Sequence, residues 1–192
     1  MYHSPASPLL VRRELLFSPE DETRSSPFFC AFRQAFPDQA DQIFGITDSI
    51  PAPIKEVGPA FQTINIDESQ TTGKFQSRVK VATLNGMATS MMTTKGSIVG
   101  VDGLDGIKIR VETTKPEEST VLKALFGPLG TAVNDSLPAF PSGDALEQVA
   151  PGSSIVTLRT TFCDEGLRIS RFEERYEDVF VWRRSKYSNF SL

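Results

Sequence analysis

The sequence predicts a mainly β fold, an antiparallel barrel of about eight strands with a short helical insert near the N-terminus. Several segments alternate apolar with charged residues, and Ile107 to Glu112 does so strictly, so one face meets a core and the other meets water. Turn signals such as Asn85-Gly86 and Asp105-Gly106 separate these segments and are strong hairpin cues. An antiparallel meander of this size commonly closes into a barrel, because closure removes exposed strand edges.

The first part of the chain predicts one strand followed by helical structure. Residues 12–17 form a strand pattern. Ser26-Pro27 is a helix start, with serine at the N-cap and proline at the first helical position. The helix that follows carries an apolar stripe and ends at Pro37. A second helix is predicted over 38–48, because the two prolines in residues 50–53 stop it.

Four further strands follow along the chain. Turn residues bound them, among them Thr72-Gly73 and Lys95-Gly96. Residues 117–126 then form a possible helix, and the rest of 116–152 is rich in proline and glycine. A loop of that length is uncommon in a compact domain without a role, so this connection is a candidate lid or docking segment. The four predicted strands cover residues 61–67, 75–83, 87–94 and 107–113.

The C-terminal part predicts a three-stranded meander that closes the barrel. Residues 155–162 are rich in β-branched and aromatic types, 167–171 alternate, and 179–182 are apolar, which favours strands. A barrel of eight strands has an interior that side chains fill or that holds one small ligand, as in lipocalins. The predicted fold is therefore lipocalin-like.

The composition indicates one ordinary domain. The chain has 192 residues, a net charge of −4 and 39% hydrophobic residues. We expect a disordered leader over 1–11, one barrel domain over 12–184 and a tail over 185–192. The acidic balance argues against a nucleic-acid-binding protein, and no apolar run is long enough to span a bilayer. Cys30 and Cys163 are expected to be two buried thiols in a reducing compartment.

The residues needed for catalysis are mostly missing from the sequence. His3 is the only histidine and lies in the predicted leader, which excludes histidine-based triads and metal sites. Asp164 and Glu165 are adjacent carboxylates, and adjacent strand residues point apart. A solvated turn that pairs with nearby arginines is therefore favoured over an acid/base pair. We expect no enzyme, no catalytic residue and no metal.

An arginine on an apolar strand face is the main candidate for ligand contact. Arg171 shares a predicted strand face with Leu167 and Ile169, where an arginine is costly unless it is paired. It either holds an acidic ligand group or lipid phosphate at the barrel mouth, or forms an ion pair with Glu165 or with an acidic residue of 173–178. The candidate lipid-binding residues are Arg171, Phe61, Val79, Val81, Met91, Ile107, Ile109 and Phe162.

The segment 162–171 resembles the C-terminal signature of the plastid lipid-associated proteins, also called fibrillins or plastoglobulins. Segments 14–18 and 58–64 are also similar to stretches of that family. The matching residues of the signature are Asp164, Glu165, Leu167, Arg168, Ile169, Ser170 and Arg171.

The resemblance implies a plastid protein that associates peripherally with thylakoids or plastoglobules. It also implies binding of a prenyl lipid, quinone or carotenoid in or on the barrel, with no other cofactor. The alternative is a barrel with a packed interior that serves as a peripheral subunit of a photosynthetic membrane complex. The long proline- and glycine-rich loop over 127–152 and the aromatic C-terminal tail over 187–190 favour that alternative.

Overall fold

The computed structural model describes residues 11–15, 26–40, 55–67, 71–83, 87–120, 123–124 and 127–184. It is a closed barrel of eight antiparallel strands in sequence order, in which the first strand pairs with the last. The predicted fold class is therefore confirmed. The strands are β1 (Val11–Leu15), β2 (Lys55–Asp67), β3 (Thr72–Thr83), β4 (Ala88–Asp102), β5 (Gly106–Glu117), β6 (Ile155–Cys163), β7 (Leu167–Phe172) and β8 (Arg175–Arg184).

The predicted N-terminal helix is present as α1 (Pro27–Ala35). It starts at the predicted proline, although the Ser26 side chain makes no capping hydrogen bond. Residues 37–40 are helical as well, and the remainder of the predicted second helix lies outside the described residues. The same is true of the predicted leader apart from Val11, and of the predicted tail.

Two glycine pairs that were predicted as turns lie within strands instead. Lys95-Gly96 is inside β4, which continues for six more residues to Asp102, and Gly73 is inside β3. A β-bulge occurs between Lys95 and Gly96. A Cβ atom on Gly96 would lie 2.5 Å from the carbonyl oxygen of Arg110, so glycine is needed for the close approach of β5 rather than for a turn. The prediction of a turn at Asp105-Gly106 fits better, since residues 103–105 form the β4–β5 turn.

Of the helix predicted over 117–126, residues 120 and 123–124 are helical and residues 121–122 and 125–126 lie outside the described residues. The stretch after it, predicted as irregular, contains two helices, α2 (Pro128–Ser136) and α3 (Ser142–Val149). β5 pairs with β6 only from Gly106 to Arg110. Beyond that point the connection between β5 and β6 pairs with the edge of β5. Thr114 and Phe140 exchange two backbone hydrogen bonds there. A Cβ on Gly143 would lie 2.0 Å from the Val111 carbonyl oxygen, so α3 sits directly on the β5 backbone. This part of the connection is therefore barrel wall.

The described apolar core is one continuous cluster that joins the barrel interior to the helices. Phe29, Cys30 and Ala31 of α1 and Leu146 of α3 belong to it. Burying one large apolar side chain stabilises the fold by roughly 1.5–3 kcal/mol, so docking of α1 contributes substantially. The largest fully buried apolar side chains of the strands are Trp182, Phe75, Phe172, Phe180, Ile98, Ile109 and Leu158.

The C-terminal meander is confirmed, with turns at residues 164–166 and 173–174. Both cysteines are free, as predicted. Cys30 is buried in the core, whereas Cys163 is exposed. The expectation that both thiols are buried was therefore wrong for Cys163, because β6 extends past the β4–β5 turn to a rim of the barrel.

Candidate functional site: a polar belt inside the barrel

Four neighbouring strands place buried polar residues side by side in the barrel interior. Gln62 of β2 is opposite Ser77 of β3, Ser77 is opposite Thr94 of β4, and Thr94 is opposite Thr114 of β5. Residues paired directly across antiparallel strands point to the same side of the sheet. Ser142 of α3 continues the line. We call these five residues the polar belt.

The belt lies between apolar layers of the interior. On β3, Phe75 and Val79 flank Ser77 two residues away on the same face, and both are buried. The hydroxyls of Thr94 and Thr114 are 3.4 Å apart, and those of Thr114 and Ser142 are 3.0 Å apart. Burying a hydroxyl is costly unless it is hydrogen-bonded, and these two contacts offset that cost at one end of the belt.

Ser77, in the middle of the belt, differs from its neighbours. It is 1% exposed, and its hydroxyl oxygen has no hydrogen-bond partner in the part of the chain that the structure describes. A buried polar atom without a partner costs about 1–3 kcal/mol. Within the described residues, the Ser77 hydroxyl is therefore a buried donor and acceptor whose hydrogen-bonding capacity is not used.

Arg168 completes the other end of the belt. It is 4% exposed, its Nη2 atom donates a hydrogen bond to Oε1 of Gln62, and its guanidinium lies 5.5 Å from the ring centroid of Trp182. The Trp182 indole N–H in turn donates to the Ser170 hydroxyl at 2.9 Å. The guanidinium, amide and hydroxyl groups together offer donors that suit an oxygen acceptor, such as a carbonyl or carboxylate.

The assignment of faces on β7 was wrong. Leu167, Ile169 and Arg171 do share a face, but they are only half buried, whereas Arg168, Ser170 and Phe172 are buried. The interior arginine is thus Arg168. Because two of the three buried residues of β7 are polar, the positions of its apolar residues alone predict that the opposite face is buried.

The predicted ligand-contact residues divide between the two faces of the barrel. Four of them face the interior with buried partners: Val79, Val81, Ile107 and Ile109. The other four pair with outward residues, Phe61 with Arg78, Met91 with Lys80, Phe162 with Ile169, and Arg171 with Arg159. Met91 is nevertheless buried, whereas Phe162 is 46% exposed.

The members of the polar belt were absent from the predicted site. In the sequence, Phe75 and Val79 alternate with the polar residues Lys74, Gln76 and Lys80, and the same alternation places Ser77 on the face of Phe75 and Val79. A small polar residue between two large apolar residues at every second position is the sequence pattern that could have predicted a buried hydroxyl here. Gln62 and Thr94 gave no comparable signal, since only their strand register places them beside Ser77.

The adjacent carboxylates Asp164 and Glu165 lie in the β6–β7 turn. Oδ1 of Asp164 accepts hydrogen bonds from the backbone N–H groups of Gly166 at 2.7 Å and Leu167 at 2.6 Å. This is the usual role of aspartate in a turn, where its side chain fixes the backbone. Both carboxylates are exposed, which agrees with the favoured turn interpretation.

A separate ionic cluster is centred on Arg159 of β6. Its guanidinium contacts Asp102 at 2.5 Å, Asp105 at 3.0 Å and Glu173 at 2.8 Å. Burial disfavours the charged guanidinium, but the carboxylates of Glu173 and Asp102 outweigh this effect and raise the pKa of Arg159. The cluster ties the β4–β5 turn to the β7–β8 turn. Burial also raises the pKa of the neighbouring Glu174, whose carboxylate accepts the Thr157 backbone N–H.

The described residues offer neither a metal-binding cluster nor a membrane-spanning helix. Among these residues, no group of three or more histidine, cysteine, aspartate or glutamate side chains is placed to hold a metal ion. None of the helices in the same part of the chain is long and apolar enough to cross a membrane. Comparison of the chain with protein-family models, with curated proteins and with solved structures found no match.

Proposed function

We propose that this protein is a non-enzymatic binding protein that holds a hydrophobic small molecule or lipid in its barrel. The polar end of the guest contacts Ser77 and Gln62 of the belt and the adjacent Arg168. Its apolar part lies against inward side chains such as Val79 and Ile109. The observation that carries the proposal is the buried Ser77 hydroxyl, which has no partner among the described residues although its neighbours in the line are hydrogen-bonded.

The resemblance of segment 162–171 to the plastid lipid-associated proteins supplies the class of guest. The proposed ligand is a prenyl lipid, quinone or carotenoid, and the proposed location is the plastid, peripheral to the thylakoid or on the plastoglobule. A quinone fits the belt best among these, because its ring carbonyls accept hydrogen bonds while its prenyl chain is apolar. Apolar surfaces with a few placed polar groups are typical of small-molecule sites.

Extraction of the native protein tests this proposal. The protein is purified from its own cells without detergent, extracted with organic solvent, and the extract is examined by mass spectrometry. We expect close to one hydrophobic molecule per chain, and a clear reduction in Arg168→Met. The matched control is Arg110→Met, an exposed arginine on β5, which should retain the ligand. An extract with no enriched compound would overturn the proposal.

A second candidate function is peripheral attachment to a photosynthetic membrane complex. Phe162, Ile169 and Val181 are paired across β6, β7 and β8 on the outer face. They form an outer apolar row that stands partly open to solvent, with Phe162 as its most exposed member. Exposed apolar surface of this kind often marks an interaction site, and this row is the observation that favours the second candidate.

Membrane co-sedimentation and co-purification separate the two candidates. For the second candidate we expect the protein to sediment with washed thylakoid membranes, to co-purify with a photosynthetic complex, and to lose both properties in Phe162→Ser. Leu104→Ser is the control, because Leu104 is a fully exposed apolar residue in the β4–β5 turn. Failure of the wild type to sediment would rule out the attached subunit and leave the carrier proposal intact.

A further inference from the structure

A concave site lies on the outer face of the barrel, and none of the polar-belt residues lines it. It has a volume of about 450 Å³, within the roughly 300–1,000 Å³ that is usual for small-molecule sites. Strands β2 to β5 each contribute polar side chains to it. We call it the outer groove, and its lining residues used below are Asn65, Lys74, Gln76, Lys95, Ser97 and Glu112.

The strand register brings the two lysines of the outer groove together. Lys74 is directly opposite Ser97, and Gln76 is directly opposite Lys95. Lys74 and Lys95 are therefore diagonal neighbours, whose backbones are about 7–8 Å apart in an antiparallel pair. Their long side chains are thus able to reach one shared anion.

No described carboxylate forms an ion pair with either lysine. Across the described residues, Lys74 and Lys95 make no ion pair and no side-chain hydrogen bond. The nearby carboxylate of Glu112 accepts a hydrogen bond from the Ser97 hydroxyl instead. The two ammonium groups repel each other by Coulomb's law, and an anion bound between them would offset that repulsion.

We propose that the outer groove binds a phosphorylated polyol, either as a free sugar phosphate or as the headgroup of a phosphoinositide lipid. Lys74 and Lys95 contact the phosphate, since charge-assisted hydrogen bonds to phosphate are among the stronger polar contacts. Glu112 accepts hydroxyl groups of the polyol, and the amides of Asn65 and Gln76 bond the remaining hydroxyls. This site is independent of the guest proposed for the barrel interior.

Binding measurements with two probes test the proposal on the full chain. Calorimetry with glucose 6-phosphate probes the free form, and co-sedimentation with phosphatidylcholine vesicles containing phosphatidylinositol 4-phosphate probes the lipid form. Binding of either probe supports the shared chemistry, and the probe that binds identifies the source. We expect Lys74→Gln/Lys95→Gln to weaken that binding at least about tenfold, the effect of roughly one charged contact.

Lys80→Gln is the matched control, because Lys80 is an exposed lysine of the same strand outside the groove. It should change affinity by less than about twofold, which corresponds to less than roughly 0.4 kcal/mol. Glu112→Gln should weaken binding of glucose 6-phosphate without weakening binding of inorganic phosphate. The proposal is overturned if neither probe binds the wild type, or if the Lys80 variant loses as much affinity as the double variant.

Discussion

The contact between Arg168 and Gln62 leads to a quantitative prediction about the barrel interior. Arg168→Met removes a hydrogen bond made by a charged group, worth about 1.5–3 kcal/mol, and the contact with the Trp182 ring, worth about 0.5–2 kcal/mol. Its expected cost in the free energy of unfolding is therefore about 2–5 kcal/mol. Gln62→Leu removes the same hydrogen bond and leaves the buried guanidinium with one acceptor fewer, so we expect a cost of about 1.5–3 kcal/mol.

The double variant separates this contact from general disruption of the core. The Arg168–Gln62 bond is lost only once in Arg168→Met/Gln62→Leu, so the two costs should fall short of additivity by about 1.5–3 kcal/mol. Urea unfolding is followed by far-UV circular dichroism and by the fluorescence of Trp182, the only tryptophan. Gln62→Leu combined with Lys108→Met is the control, and distant sites should add within about 0.5 kcal/mol. Additive costs in the Arg168–Gln62 cycle would refute the proposed contact.

Three further predictions concern single residues. Gly143→Ala should destabilise the protein by about 1–3 kcal/mol, because the new Cβ would overlap a β5 carbonyl and push α3 away from the strand. Gly100→Ala, which has open space around its Cβ, is the control in the same urea unfolding series. Equal effects of the two substitutions would contradict the packing of α3 on β5. Ser77→Ala should leave the thermal midpoint of the ligand-free protein unchanged or raise it. A decrease of more than about 1 kcal/mol in the free energy of unfolding would mean that the hydroxyl has a partner. Hydrogen bonds from the Gly152 backbone and then from the Ser154 hydroxyl lower the pKa of Glu147. The stability that Glu147 contributes is present above its unfolded pKa of about 4.3 and is lost as the pH falls below that value. The thermal midpoint should therefore fall more steeply between pH 7 and pH 3 in the wild type than in Glu147→Gln. Parallel plots of thermal midpoint against pH would contradict this role of Glu147.

The overall fold was predictable from the sequence because it rests on local signals. Alternation in Ile107–Glu112 and the β-branched runs of the C-terminal meander depend only on neighbouring residues. The start of α1 at Pro27 was equally local. Most of these elements appear in the structure close to their predicted bounds, whereas β8 begins at Arg175, four residues before the predicted start at Val179.

The errors concern features that depend on contacts between distant residues. Gly96 reads as a turn residue, but it serves the close approach of β4 to β5, which only the strand register reveals. Residues 127–152 were predicted as irregular because prolines and glycines interrupt the short helices there. The packing of this stretch on β5 through Gly143 has no sequence signature. Arg168 was assigned outward because a buried arginine contradicts the usual alternation. Its burial is compensated by Gln62, which is distant in sequence.

Titration of Trp182 fluorescence with decylubiquinone, a quinone with a short apolar chain, tests the central claim most directly. A quinone bound against the polar belt lies near the indole of Trp182 and should quench its emission saturably, at one quinone per chain. Ser77→Ala, which removes one small hydroxyl, should weaken this binding by about three- to tenfold, the value of one hydrogen bond, while Leu104→Ser leaves it unchanged. The absence of saturable quenching in the wild type, or equal affinity in Ser77→Ala, would contradict a ligand held at the polar belt.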